Sequence, residues 1–315
     1  MKGVKLFLGC MLVLGVATSC STQDDYFDDE VSLNQLLASY ELWYIDIHST
    51  RGSGEVPFLQ NAFTISFRNG VLYANNNLAG IGNTGNGLGI DVGYYDVYDT
   101  LVTVDHDIDG LWDLEVYQHG SNEIELYDRS SGTSYFLMGY QRSNFDYDTV
   151  FYDNIHYFLQ EYEAWEKTYV SRQGAVNSFD NENFLRFHPD ANGDWFSSSE
   201  DAPGTSVNNL IWDYTGDYEV FNVSGEPHLK VLTLDYDLPD NEQFELSVID
   251  DRTIALYHID SQTTYEFTGR NFIQYLKAES NSGEKTDKTG KKRKKIINRT
   301  IDIERQSKPR KVKVS

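Results

Sequence analysis

The sequence predicts an all-β protein built from two tandem antiparallel up-and-down barrels, each preceded by a short helix. Three observations predict it. Short runs of alternating apolar and polar residues are separated by turn pairs such as Asn69-Gly70, Asp109-Gly110 and Ser131-Gly132. The body of the chain repeats itself in order, with an offset that drifts from 122 residues at the pair Trp43/Trp165 to 130 at the pair Tyr135/Tyr265. Aromatic residues make up 14% of the 315 residues, with 22 Tyr and 17 Phe against only 6 Pro, a composition suited to strands and turns.

In chain order, residues 1–19 read as a signal peptide. Lys2 and Lys5 supply a positive start, and Leu6 to Val16 is an apolar run too short to span a bilayer with ease. Ala17-Thr18-Ser19-Cys20 resembles a lipobox, which implies cleavage before Cys20 and lipidation of Cys20; an ordinary secretory signal is the alternative. Residues 20–30 form an acidic tether. Its cluster Asp24-Asp25-Tyr26-Phe27-Asp28-Asp29-Glu30 resembles the surface-export signal of Bacteroidetes-type lipoproteins. The implied partner is the lipid bilayer, reached through acylated Cys20, and the implied location is the outer membrane, with exposure at the cell surface.

Residues 31–146 and 153–276 are the two copies. Each starts with helical spacing, at Leu33, Leu36, Leu37 and Tyr40 and again at Ile155, Phe158, Leu159 and Tyr162. After each Trp the period changes to two. In the first copy the expected strands are 42–48, 58–67, 71–75, 90–97, 101–106, 112–117, 123–128 and 134–140. Matching segments in the second copy include Gly216-Asp217-Tyr218-Glu219-Val220 against Gly93-Tyr94-Tyr95-Asp96-Val97. Eight such strands joined by short hairpins favour a closed barrel, which removes sheet edges, with a β-sandwich as the alternative. A Trp on the first strand after a short helix, followed by a meander of roughly a hundred residues, resembles the lipocalin-like (calycin) family. The resemblance implies a basic residue packed over each Trp as a barrel-closing contact: Arg142 over Trp43 and Arg270 over Trp165. It also implies a small apolar or glycan-like ligand inside the barrels. The candidate lining is Phe63, Phe67, Trp112 and Leu114 in the first copy and Phe187, Phe244 and Leu246 in the second, for which plain core is the favoured alternative.

Few motifs carry chemistry. The only cysteines, Cys10 and Cys20, precede the body, which excludes disulfides, Cys-based metal sites and a cysteine nucleophile there. Asp105-His106-Asp107-Ile108-Asp109-Gly110 matches the start of a calcium loop, but Val116 stands where the closing Glu belongs. Two readings stay open: a Ca²⁺ site at Asp105, Asp107 and Asp109, or an acidic hairpin turn. No Gly-x-Ser-x-Gly elbow, phosphate loop or metal-spaced His pair occurs, so the expectation is a protein that is not an enzyme. The Gly-rich stretch 83–89 reads as a lid or connector at a barrel mouth.

Residues 279–315 form a basic low-complexity tail, expected to be disordered. They carry 13 Lys/Arg against 5 Asp/Glu, a net of +8, so the remainder of a chain at −23 carries −31. That acidic body argues against nucleic acid as a partner. The tail suits an anionic envelope polymer, lipid head groups or the acidic body itself. The functional expectation is a membrane-anchored, non-catalytic binder of a small ligand, or alternatively a structural accessory docking onto an envelope protein.

Overall fold

Helix α1 (Leu33–Ser39) starts at Ser32, whose hydroxyl accepts the Gln35 amide while the Gln35 side chain accepts the Ser32 amide. The chain then turns into β1 (Leu42–Arg51), and the remaining strands follow as a meander: β2 (Thr64–Arg68), β3 (Val71–Asn75), β4 (Ile90–Tyr98), β5 (Leu101–His106), β6 (Gly110–Gln118), β7 (Glu123–Asp128) and β8 (Thr133–Tyr140). Strand β8 returns to β1, with Trp43 opposite Gly139, and closes an antiparallel eight-stranded barrel. This computed structural model describes residues 32–172, 174–188, 194–236, 241–275, 292–293, 295–296 and 298–303. The signal segment, Cys20 and the acidic tether lie outside the described residues.

One strand expectation is corrected. The segment 58–67 begins as helix α2 (Pro57–Asn61), and only Thr64–Arg68 is strand. Pro57 occupies the first helical turn, where its missing N–H costs nothing. Phe58 and Leu59 are then buried with Val56 against the strands, at the end of the barrel opposite α1.

The second copy repeats the plan. Helices α3 (Tyr147–Asp153) and α4 (Ile155–Leu159) lead into β9 (Tyr162–Val170), β10 (Phe184–His188), β11 (Trp195–Ser199), β12 (Tyr214–Val223), β13 (Glu226–Asp235), β14 (Glu242–Asp250), β15 (Thr253–His258) and β16 (Thr264–Phe272). The β16–β9 and β11–β12 pairings close it, with Trp165 opposite Gly269 as Trp43 is opposite Gly139. Two tandem eight-stranded antiparallel barrels are therefore the fold, as the repeat and the period-two runs predict.

The barrels share a hydrophobic cluster. Leu42, Tyr44, Phe63 and Leu78 of the first pack with Ile155, Tyr157 and Phe158 of the second. The loop after β3 adds polar contacts: the Glu161 carboxylate accepts the amides of Leu78 (2.6 Å) and Ala79 (2.8 Å), and Asn77 bonds Ile273 and Tyr275. The Gly-rich stretch 83–89, expected as a lid or connector, belongs to the connection between β3 and β4.

The tail departs from the expected disorder over its described residues and contacts the acidic body. Lys292 pairs with Glu55, Arg293 is buried, and β17 (Thr300–Ile301) adds parallel to β12 at Asn222 and Val223. The reason is local: β11 covers only the start of β12, from Tyr214 to Asp217, which leaves the far half of that edge open for another strand.

Candidate functional site

The first barrel has a large concave site, and it lies at the mouth beside α1. Helix α1 is stapled over that rim by side chains that bind its unpaired C-terminal carbonyls. The Trp43 indole N–H donates to Leu37 O (2.9 Å), and the Arg68 guanidinium donates to Ala38 O (3.2 Å) and Tyr40 O (2.9 Å). Gln141 holds Ser39 O at 2.9 Å. Between α1 and the hairpins after β2 and β4 remains a groove of about 1030 Å³. Leu33, Leu36, Tyr95, Val97 and Val116 are its larger apolar lining. Asn34, Asn69, Asp96, Asp99 and Gln118 are its polar lining. Asn69 and Gly70 both take positive φ (52° and 81°), the two-residue turn that matches strand twist and sets Asn69 at the rim.

None of the seven expected ligand-lining residues faces this groove. Phe67 meets the Tyr95 ring edge-on at 5.0 Å, and Leu114 is fully buried beside them in the same core. Phe63 packs against Tyr157 of the second copy at 6.2 Å, and the partly buried Trp112 gives its indole N–H to Asp109 O (3.0 Å). In the second barrel Phe187 meets Tyr218 at 5.0 Å, Phe244 meets Phe179 at 4.6 Å, and Leu246 is fully buried with them. Phe67, Leu114, Phe187, Phe244 and Leu246 are packed barrel core, Phe63 packs between the barrels, Trp112 is half-buried, and the concavity lies at the rim.

The barrel-closing arginines are also corrected. Tyr40 meets the Trp43 ring edge-on at 5.0 Å, and Tyr162 meets Trp165 at 4.8 Å. A Cβ on Gly139 or Gly269 would lie 2.5 or 2.4 Å from those tyrosine rings, so each glycine makes room for its tyrosine. Arg142 instead forms an ion pair with Glu41 (2.7 Å) and Arg270 one with Glu166. With each indole already covered by a tyrosine, the carboxylate on or beside the first strand captures the guanidinium. The Glu41 carboxyl is held below its usual range by the hydrogen bonds from Arg142.

The aspartates of the Asp105–Gly110 loop are not brought together. Asp105 stands exposed on β5, the Asp107 amide donates to Val92 O (2.9 Å), and Asp109 turns to His106. The buried His106 ring stacks on Phe58 at 5.4 Å, and its Nδ1 accepts the Asp109 amide at 3.1 Å. Burial lowers the His106 pKa, which keeps that nitrogen free to accept. Among the described residues no three His, Cys, Asp or Glu side chains converge on a metal position.

Two groupings escaped the sequence reading. Glu242, His258 and Ser261 form a buried chain, with His258 Nδ1 2.7 Å from Ser261 Oγ and Nε2 bonded to Glu242. It looks like a nucleophile, base and carboxylate. The first barrel shows its role: Asp128 stands at the matching position and holds Ser130 and Ser131 of the matching turn. Both groupings cap a hairpin.

The other is Arg293. It is 1% exposed, and its guanidinium donates to the carbonyls of Ile45, Leu59, Gln60 and Ala62 while lying 4.7 Å over the Phe63 ring. Burial lowers its pKa to about 10, so it remains charged at neutral pH. No protein-family model matches the chain, and no curated protein matches it.

Proposed function

We propose that the protein is a non-catalytic lipoprotein, anchored in the outer membrane through acylated Cys20, that binds a glycan-like ligand in the groove between α1 and the rim of the first barrel. The groove carries this reading. Its volume of about 1030 Å³ is at the upper end of the roughly 300–1,000 Å³ of small-molecule sites. Amide and carboxylate groups beside an apolar lining of Leu33, Leu36, Tyr95, Val97 and Val116 suit a ligand with both hydroxyls and an apolar face better than a wholly apolar one. The signal-like start of the chain supports the anchor.

The second barrel supplies the test. The repeat places Gln160 where the first barrel has Ala38. Ala38→Gln in the full chain is expected to intrude on the groove beside Tyr95 and weaken binding to an oligosaccharide array at least tenfold, with the melting temperature unchanged. Native mass spectrometry of protein purified from its host reads the same site. A retained saccharide that the variant lacks supports the reading, and array binding unmoved by Ala38→Gln overturns it. A second reading, docking onto an envelope protein, is favoured by the exposed side chains Tyr94, Tyr98 and Leu111 on the outer face of β4 and β6. Capture of an envelope protein that depends on Tyr98, with no saccharide retained, would select it.

A further inference from the structure

The described tail residues sit in a cleft that runs from the first barrel to the second, and each end of the cleft is built for a specific chemistry. At the first barrel, the closing turn of α2 leaves the Leu59, Gln60 and Ala62 carbonyls without helical partners. Arg293 supplies donors to all three, and its own amide donates to Gln60 O at 2.9 Å. The Phe63 ring forms one wall of this socket. At the second barrel, the free edge of β12 accepts a strand. The Asn222 amide donates to Arg299 O (2.9 Å), the Ser224 amide donates to Ile301 O (3.1 Å), and Glu219 takes the Arg299 guanidinium. Between the two ends, Ile296 packs on the shared hydrophobic cluster, and His156 Nε2 lies 3.1 Å from Asn298 Oδ1. One fully buried arginine, one strand addition and one surface ion pair, all reading one short segment, are the marks of a peptide site.

We propose that this cleft is a receptor for an extended basic peptide of the pattern Arg-x₅-Arg-Thr-Ile, occupied in cis by this chain's own residues 293, 295–296 and 298–301 and, when they leave, by the same segment of a second copy. The contacts are those of main-chain augmentation plus a deep side-chain anchor, which need no particular covalent connection to the barrels. Connection in cis raises the local concentration of the segment to the order of millimolar, so the native chain keeps its own cleft filled.

The test uses the full chain and a fluorescent peptide of residues 290–303, read by anisotropy. Arg293→Ala in the protein removes the cis anchor and opens the cleft. The variant is expected to bind the wild-type peptide at least 100-fold more tightly, in apparent affinity, than the wild-type chain does. A peptide carrying the same Arg293→Ala change is expected to lose that binding, and added salt to weaken it. Should Arg293→Ala fail to fold, Arg299→Glu sets a carboxylate against Glu219 at an exposed position and is expected to open the cleft about tenfold. Equal peptide binding by wild type and a folded variant overturns the proposal, as does equal binding of the parent and anchorless peptides.

Discussion

The two barrels share a register and differ at one rim, and the difference separates scaffold from site. Tyr95 and Tyr218 occupy the same repeat position. Tyr218 is sealed: Gln160 donates to its hydroxyl at 2.7 Å, and the His156 ring lies 5.7 Å away, itself paired with Asp194 at 3.0 Å. That burial pushes the Tyr218 hydroxyl well above its ordinary pKa. In the first barrel Asn34 and Ala38 stand where His156 and Gln160 stand in the second, and Tyr95 lines the open groove. Shorter side chains at these two positions leave Tyr95 lining a groove where Tyr218 is sealed. The copies also differ in how the segment at the other end is capped. Lys167 on β9 reaches the Asp180 carbonyl at 2.6 Å, whereas Arg293 comes from the tail to the carbonyls of α2. A cation meets the carbonyls of the closing segment in both, but only the first barrel borrows it.

The strongest test of what is shared lies at Gly139 and Gly269. Each faces a tyrosine ring that a side chain would strike, Tyr40 in one barrel and Tyr162 in the other. Both rings are held by the indole beneath, and each donates its hydroxyl to a carbonyl, Tyr40 to Ser121 O at 3.0 Å and Tyr162 to Asp251 O at 2.8 Å. Neither can swing away without uncovering the Trp. Gly139→Val and Gly269→Val are each expected to cost about 3 kcal/mol or more in chemical denaturation, at or above the high end for overpacking. A cost confined to one barrel would show that the Tyr-over-Trp contact is not the common closing device.

The next effect belongs to the second barrel alone. Glu182 is 6% exposed, and burial raises its pKa to about 7, although it accepts the Tyr236 hydroxyl at 2.6 Å. Because the folded state holds this proton more tightly than the unfolded chain, the contribution of Glu182 to stability is full below pH 4.5. It is lost as pH rises to about 7. Glu182→Gln needs no proton and keeps an acceptor for Tyr236. It is expected to be flat over that window, so above pH 7 it gains up to about 3 kcal/mol on the wild type. Ala62 occupies the matching place in the first barrel, so no such slope is expected from there. Parallel pH–stability curves for wild type and variant would remove Glu182 from the account.

The periodic parts of this arrangement were legible in the sequence. Duplication, strand alternation and Asn-Gly turns carry the barrels because each is a local pattern repeated many times. The site was not legible, for physical reasons. Phe67, Phe187 and Phe244 fit a ligand-lined lumen and a packed one equally, since an inward apolar residue has the same pattern in both. What decides is volume, which depends on rings meeting across the barrel. The sequence puts Arg142 and Arg270 in the right neighbourhood but does not show their partners, because Glu41 and Glu166 compete for them in three dimensions. Arg293 was hidden in a run of like charges, where nothing distinguishes the one cation that inserts. A faint signal did exist downstream: Ile301-Asp302-Ile303 alternates within the basic tail as an added strand should.

The smallest expected effect asks whether the two barrels fold as one energetic unit. Trp43 and Trp165 each donate to a carbonyl near the end of the preceding helix, Leu37 O at 2.9 Å and Leu159 O at 2.7 Å. Trp→Phe at either site removes that donor and strands a buried carbonyl, at a cost of about 2 kcal/mol. The geometry is shared, so the two single costs should match. Their surroundings are not: Trp43 belongs to the first barrel's own core, whereas Trp165 belongs to the cluster that runs between the barrels. If the shared cluster only glues two independent units, Trp43→Phe lowers the urea midpoint of one transition and Trp165→Phe that of another. The continuous packing of Leu42, Tyr44 and Phe63 onto Tyr157 and Phe158 argues instead for a single transition. Both variants are then expected to shift the same midpoint, and the double variant to lose the sum of the two costs, because the indoles touch no common partner.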